Sequence, residues 1–225
     1  MKKLMVVWPL CLMLLVSYQM PVQAFLKPQY DVIIDVGHGG VDGGTSFNGI
    51  LEKEINLLFG LELYRQLADA NYQVAITRID DYALSDDYKG PRLNRHSKDL
   101  RQRAFIANVL KPTIYLSVHI NWSKSKKAHG PIVIYQKNDK SYSLATIIQK
   151  HLNNLYQTDL SVLKGKKYYL MNYTDTAAII TELGFISHSG DRAKMLDEQI
   201  RSEIVQVMVE GINEYMTLIG IQEEW

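Results

Sequence analysis

Short apolar segments rich in β-branched residues alternate with longer segments of helical periodicity along most of this chain. The predicted strands are Val32–Val36, Gln73–Thr77, Thr113–His119, Pro131–Tyr135 and Ala177–Leu183, and the predicted helices are Glu52–Ala70, Leu100–Leu110, Ser143–Tyr156 and Ile200–Leu218. Strands separated by helices of about ten or more residues form βαβ units, in which the strands run parallel. We therefore predict an α/β fold: a single three-layer domain whose mostly parallel, twisted central sheet carries helices on both faces.

Residues 1–24 differ from the rest of the chain and have the pattern of a signal peptide. Lys2 and Lys3 precede an apolar run, and small residues stand at Val22 and Ala24. The apolar run is about 13 residues long, which is short for a membrane span of about 20 residues. We expect cleavage after Ala24, which leaves residues 25–225 as the exported domain. An uncleaved membrane anchor is the alternative.

Composition excludes several classes of protein. The chain contains 25 Lys and Arg residues against 24 Asp and Glu residues, so no charge bias predicts nucleic-acid binding. A hydrophobic fraction of 47% predicts a folded chain rather than a disordered one. Because Cys11 is the only cysteine, an internal disulfide and a multi-thiolate zinc site are both excluded.

Ionisable side chains stand at the ends of three predicted strands. His38 follows the first strand after a glycine, His119 ends the third strand, and Glu182 lies near the end of the last strand. Because the carboxyl ends of parallel strands meet at one edge of a sheet, where ligand sites gather, we expect these side chains to lie close together. Glu52 begins the first helix after a glycine-rich loop that can fold back, and it is a fourth candidate.

Two histidines and a carboxylate suit zinc, and three protein ligands leave one position open for water, as in catalytic sites. Zinc lowers the pKa of water and polarises a carbonyl, while a second carboxylate can act as general base and then as general acid. Together these groups suit amide hydrolysis. The alternatives are a plain loop position for His38 and a structural ion pair for Glu182, since no compact ligand spacing such as His-Glu-x-x-His supports the metal site.

Six short motifs occur in order between residues 31 and 216. They are Val36–Gly44, Leu51–Leu57, Thr77–Arg78, Leu100–Arg103 with Ala107–Asn108, Ser117–Asn121 and Thr181–Phe185. In this order they resemble the motifs of the bacterial zinc-dependent N-acetylmuramoyl-L-alanine amidases of the amidase type 3 family. The resemblance implies the same α/β fold. It also implies that His38, Glu52 and His119 bind Zn²⁺ and that Glu182 is the catalytic carboxylate.

By this resemblance, residues 25–225 form a catalytic domain that hydrolyses the amide between the lactyl group of N-acetylmuramic acid and L-alanine in peptidoglycan. A narrower similarity, over Gly90–Asn108 and Lys167–Met171, is to the germination-specific amidases of spore formers. That similarity implies a role in forming muramic-δ-lactam in the spore cortex. The alternatives are a vegetative wall-remodelling amidase, another wall-directed metallohydrolase, and a wall-binding protein without enzymatic activity.

The resemblance also sets expectations for partners and location. The expected partner is peptidoglycan, and an activating protein is a further candidate; neither nucleic acid nor a membrane is expected as a partner of the mature chain. We expect a monomer exported to the cell wall or the spore envelope.

The chain departs from the family pattern at three places. Val36 stands where the family usually has proline before Gly-His, Ala177-Ala178 replaces a proline before the last strand, and His188 replaces a common asparagine. None of these is a proposed ligand. Arg78 and Arg103 either clamp a stem-peptide carboxylate or form structural ion pairs, and we favour the ion pairs.

Overall fold

A six-stranded sheet forms the centre of the structure, a computed structural model that describes residues 30–220. Its strands are β1 (Val32–Val36), β4 (Val74–Ile76), β5 (Ile114–Asn121), β6 (Ile132–Tyr135), β7 (Leu163–Lys164) and β8 (Ala177–Phe185), while β2 (Ser46–Phe47) and β3 (Ile50–Leu51) form a separate hairpin. The spatial order is β4-β1-β5-β8-β6-β7. Every neighbouring pair is parallel except β6 with β8, which confirms the mostly parallel sheet.

Helices cover both faces of this sheet. They are α1 (Glu52–Asp69), α2 (Arg95–Leu110), α3 (Asp139–Tyr156), α4 (Leu170–Tyr173), α5 (Ser189–Leu196) and α6 (Glu198–Leu218). Residues of α1, α3 and α6 share one apolar core with the sheet, and residues of α2 and α4 share a second core on the opposite face. The predicted three-layer α/β domain is therefore confirmed.

Strand β1 shows how side chains divide between the two cores. All five of its residues are fully buried, and alternate side chains point to opposite faces. Val32, Ile34 and Val36 enter the core beneath α1, whereas Ile33 enters the core beneath α2. Asp35 shares the face of Ile33. A carboxylate in that position requires charged or hydrogen-bonding partners on the α2 side.

Helix α1 lies close to β1 because Gly60 faces the strand. A Cβ atom at Gly60 would stand 2.5 Å from Cγ2 of Val36. Phe59, Leu63 and Leu67 are buried in the core beside it. The close approach fixes the direction of α1, and with it the position of Glu52 at the first turn.

Several helices begin earlier than the apolar pattern predicts. Helix α2 begins at Arg95, where Oδ1 of Asn94 accepts a hydrogen bond from the backbone N–H of Ser97 at 2.8 Å. Helix α3 begins at Asp139, capped in the same way by Asn138. The first turns of both helices are polar, so their capping residues rather than their periodicity mark these ends.

The predicted signal peptide, residues 1–24, and its cleavage site after Ala24 lie outside the described residues. Within residues 30–220, no helix combines the length and the apolar character needed to cross a membrane. Export therefore stays a prediction from the sequence.

Candidate metal and catalytic site

The carboxyl ends of β1, β5 and β8 lie side by side, as the sequence predicts. His119 on β5 is the direct cross-strand neighbour of Glu182 on β8. His38 follows β1, which pairs with β5 on its other side. The His119 ring packs over Gly37, where a Cβ atom would stand 2.4 Å from the imidazole. The structure therefore brings His38, His119 and Glu182 to one edge of the sheet.

Glu52 completes this cluster from the first turn of α1. Its Oε1 lies 3.2 Å from Nε2 of His38 and 3.0 Å from Nδ1 of His119. The backbone N–H of Ile120 donates to Oε1 at 3.1 Å, and that of Thr45 donates to Oε2 at 2.8 Å. One ligand atom each from His38, Glu52 and His119 lies within 4.8 Å of the others. This spacing suits a single metal ion.

The charges in the cluster favour an ionised carboxylate. Burial opposes ionisation of Glu52, but hydrogen bonds with His119 and His38 hold its pKa well below the usual range. Burial likewise opposes protonation of His38, yet Asp42 and Glu52 raise its pKa to about 9. A metal ion binding at neutral pH therefore displaces a proton from His38, so metal affinity should increase with pH.

Asp42 orients the imidazole of His38. Its Oδ1 lies 3.2 Å from Nδ1 of His38 and accepts a hydrogen bond from the backbone N–H of Gly44. Both terminal nitrogens of Arg95 lie 3.3 Å from the other oxygen, Oδ2. With Nδ1 engaged by Asp42, Nε2 of His38 is left to face Glu52. Asp42 was not among the predicted site residues, although its place four residues after His38 in the glycine-rich loop was a usable signal.

Two buried arginines hold the loop that carries His38. Arg103 donates to the carbonyl of Val36 at 2.9 Å and to that of His38 at 3.0 Å. Arg78 donates to the carbonyl of Gly37 at 3.0 Å and to that of Val36 at 3.3 Å. His38 has a φ of 60°, a left-handed conformation that is uncommon outside glycine. The two guanidinium groups thus stabilise a loop that proline does not stiffen in this chain.

Arg103 also satisfies the buried carboxylate of β1. Its Nη1 lies 2.5 Å from Oδ1 of Asp35, and its Nε lies 2.7 Å from Oδ2 of Asp99. Ser117 donates to the second oxygen of Asp35 at 2.6 Å. Although burial opposes it, Arg103 and Ser117 lower the pKa of Asp35. Arg103 therefore forms structural ion pairs, as predicted. Arg78 is also structural, but among residues 30–220 it bonds backbone carbonyls and forms no ion pair, so the predicted ion pair is wrong for Arg78.

Glu182 differs from Glu52 in having few partners. Among residues 30–220 its Oε2 is buried without a hydrogen-bond partner. Burial raises the pKa of Glu182 to about 7; His119 and His38 lower it, while the charge of Glu52 raises it. A carboxyl group with such a pKa can both accept and donate a proton near neutral pH, as general acid–base catalysis requires.

One cavity of about 650 Å³ is lined by the four predicted site residues, His38, Glu52, His119 and Glu182. Side chains that line it beyond the cluster include Arg95, Trp122, Lys167, Tyr168 and Tyr169. Arg95 and Lys167 lie in the two segments, Gly90–Asn108 and Lys167–Met171, that resemble the germination-specific amidases, although neither was predicted to be a site residue. His188 is not among the lining residues: it caps α5 by accepting from the backbone N–H of Asp191, and its ring lies against His129.

Known proteins share this sequence pattern and this fold. A family model described as Amidase_3, N-acetylmuramoyl-L-alanine amidase, matches residues 32–214. The uncharacterized protein YqiI of Bacillus subtilis is 29% identical to this chain, over 82% of this chain and 84% of YqiI. The germination-specific N-acetylmuramoyl-L-alanine amidase of Bacillus subtilis is 28% identical, over 84% of this chain and 81% of that amidase. The CwlD amidase from Clostridioides difficile, solved in complex with the GerS lipoprotein, is 26% identical with a TM-score of 0.77, covering 84% of this chain and 99% of CwlD.

Proposed function

The chain belongs to the N-acetylmuramoyl-L-alanine amidase family Amidase_3, and on this premise we propose which of its site residues bind the metal and which transfers the proton. It is a peptidoglycan amidase: it hydrolyses the amide bond between the lactyl group of N-acetylmuramic acid and L-alanine. The family is metal-dependent. In our proposal His38, Glu52 and His119 hold a zinc ion, and Glu182 is the general base and general acid.

The observation that carries this assignment is the clustering of three ligand atoms near Glu182, whose Oε2 has no hydrogen-bond partner among residues 30–220. Two imidazoles and one carboxylate form a zinc donor set of the kind that leaves a position for water. Zinc supplies Lewis acidity at such a site, since it lowers the pKa of water and polarises a carbonyl. The mutual spacing of His38, Glu52 and His119, within 4.8 Å, fits one ion.

Glu182 moves the proton that the reaction requires. As water attacks the lactyl carbonyl, the ionised carboxylate accepts a proton from the water. When the bond between the carbonyl carbon and the alanine nitrogen breaks, the protonated Glu182 donates that proton to the leaving amine. A carboxyl group whose pKa is raised to about 7 by burial can do both near neutral pH.

Digestion of purified peptidoglycan tests the proposal. We expect the enzyme to release peptides with a free L-alanine amine and to leave muramic acid with a free lactyl carboxyl group. A chelator should stop the release, and added zinc should restore it. Cleavage within the peptide would indicate another wall-directed metallohydrolase. No release under any condition, including with an activating protein, would indicate a wall-binding protein.

We further propose that this amidase acts on the spore cortex after export through the signal peptide at residues 1–24, with release as a monomer. The similarity to the germination-specific amidase of B. subtilis supports this setting. The complex of CwlD with the GerS lipoprotein supports an activating protein partner. Parallel digestion of cortex and vegetative peptidoglycan separates the two settings. Faster release from vegetative walls would favour general wall remodelling.

Replacing Asp42 by alanine should weaken zinc binding by about 10- to 100-fold, because the imidazole of His38 loses the carboxylate that orients it. A competition titration with a zinc chelator measures the affinity. Asp159→Ala, at an exposed loop position, is the matched control and should bind zinc like the unmodified protein. Equal affinities in the two variants would remove Asp42 from the metal site.

A further inference from the structure

Three strongly basic side chains line the cavity: Arg95, Arg103 and Lys167. Arg103 is not free to bind a ligand, since it is 2% exposed and forms ion pairs with Asp35 and Asp99. Arg95 and Lys167 are different, because both reach solvent. Arg95 and Lys167 are therefore the two basic side chains of the lining that a carboxylate in the cavity can contact from solvent, beside the acidic residues Asp42, Glu52, Asp99 and Glu182.

Arg95 keeps hydrogen-bonding capacity to spare. Its two terminal nitrogens both lie 3.3 Å from a single oxygen of Asp42, and its side chain is 38% exposed. A guanidinium group has five N–H donors, and a paired arrangement with a carboxylate uses two of them. Asp42 bridges Arg95 and His38, the proposed zinc ligand. Arg95 thus places a positive charge next to Asp42, which in turn contacts His38.

Lys167 offers a second cation from a different segment. It lies between β7 and α4, is exposed, and has no ion pair or hydrogen bond from its ammonium group within the described part of the chain. The next residue, Tyr168, also lines the cavity, and its pKa is raised by burial and by the charge of Glu182. The segment therefore lies beside the catalytic carboxylate.

Resting on the proposed function, we propose that Arg95 and Lys167 form a subsite for a free carboxylate on the stem-peptide residue that follows L-alanine. Two extended residues span about 7 Å. A carboxylate on the second residue can therefore reach a cation that is separated from His38 by one side chain. Charge-assisted hydrogen bonds favour the carboxylate over a neutral amide at this position. The subsite would make the enzyme selective for glutamate over isoglutamine in the stem.

A pair of matched compounds tests the selectivity: N-acetylmuramoyl-L-alanyl-D-glutamate and N-acetylmuramoyl-L-alanyl-D-isoglutamine, each carrying L-lysine on its γ-carboxyl group so that only the α-carboxylate and the α-amide differ. We expect kcat/KM of the unmodified enzyme to be about tenfold higher for the glutamate compound, mostly through KM. Lys167→Gln and Arg95→Gln should bring the ratio toward one, and Lys167→Glu should reverse it. Because both compounds meet the same variant, any loss of zinc cancels in the ratio.

Lys166→Gln provides the control, since Lys166 is exposed, adjacent in sequence and not a lining residue. It should keep the tenfold preference. Equal kcat/KM values for the two compounds in the unmodified enzyme would overturn the subsite and leave the amidase assignment intact. Cleavage of neither compound, together with no release from peptidoglycan, would instead overturn the proposed function.

Discussion

Replacing Glu182 by glutamine is expected to lower kcat by about 10³-fold while the fold and zinc binding stay intact. Glutamine has the same shape as glutamate but cannot accept the proton of the attacking water. Oε2 of Glu182 has no hydrogen-bond partner among the described residues, so few structural contacts depend on its charge. Single-turnover kinetics on a muramoyl peptide, with zinc content measured on the same sample, check this result.

The control is Glu203→Gln, an exposed glutamate on α6, which should leave kcat unchanged. Full activity in Glu182→Gln would contradict the assigned role, whatever the control shows. Loss of zinc in Glu182→Gln would instead make Glu182 part of the metal site. The two readouts therefore separate a catalytic group from a structural one.

The pH profile adds a signature for Glu182. Burial raises its pKa to about 7, and the general base must be ionised, so kcat/KM should fall as the pH falls through the pKa. A bound cation favours the ionised form and places this acidic limb at or below pH 7. The residual activity of Glu182→Gln should lack the limb. A limb that persists in this variant would belong to another group.

The second large effect is on stability. Replacing Arg103 by methionine should lower the free energy of unfolding by about 3–5 kcal/mol, because Asp35 and Asp99 lose their shared cation inside the protein. The carbonyls of Val36 and His38 also lose their donors, so zinc affinity should decrease as well. Urea unfolding measures the first effect, and a zinc titration of the folded variant measures the second.

Arg65 provides a matched control on the surface. It pairs with Glu62 and Asp69, but its side chain is 58% exposed. Arg65→Met should therefore change the free energy of unfolding far less than Arg103→Met does, because solvent screens an exposed ion pair. A similar small cost in Arg103→Met would show that the buried cluster contributes little to the fold. Recovery of zinc affinity in Arg103→Lys would show that the charge alone suffices to hold the loop.

The layered fold and the position of the site could be predicted from the sequence because both depend on simple periodicities. Strands β1, β5 and β8 begin as runs of three or more apolar residues, and a parallel arrangement places their carboxyl ends together. His38, His119 and Glu182 stand at those ends, so their meeting follows from topology. The place of Glu52 depended on how the glycine-rich loop folds.

Other features depend on contacts that no local pattern encodes. Strands β2, β3 and β7 have two residues each, too few to show a period. Strand β6 pairs antiparallel with β8, although the alternation of strands and helices predicts parallel neighbours. The contacts of Arg95 and Asp42 join residues 53 positions apart, which only the tertiary structure brings together.

The position of Glu182 on an inner strand has a consequence for how such enzymes diversify. Strand β8 is hydrogen-bonded on one side to β5 and on the other to β6, so neither His119 nor Glu182 can move without breaking a ladder. Arg95 and Lys167 stand instead at helix and loop ends around the cavity. In our proposal, the groups that catalyse cleavage and the groups that select the substrate therefore lie on separate structural elements. Exchanging the segment around Lys167 between relatives should transfer the preference for glutamate or isoglutamine without changing kcat.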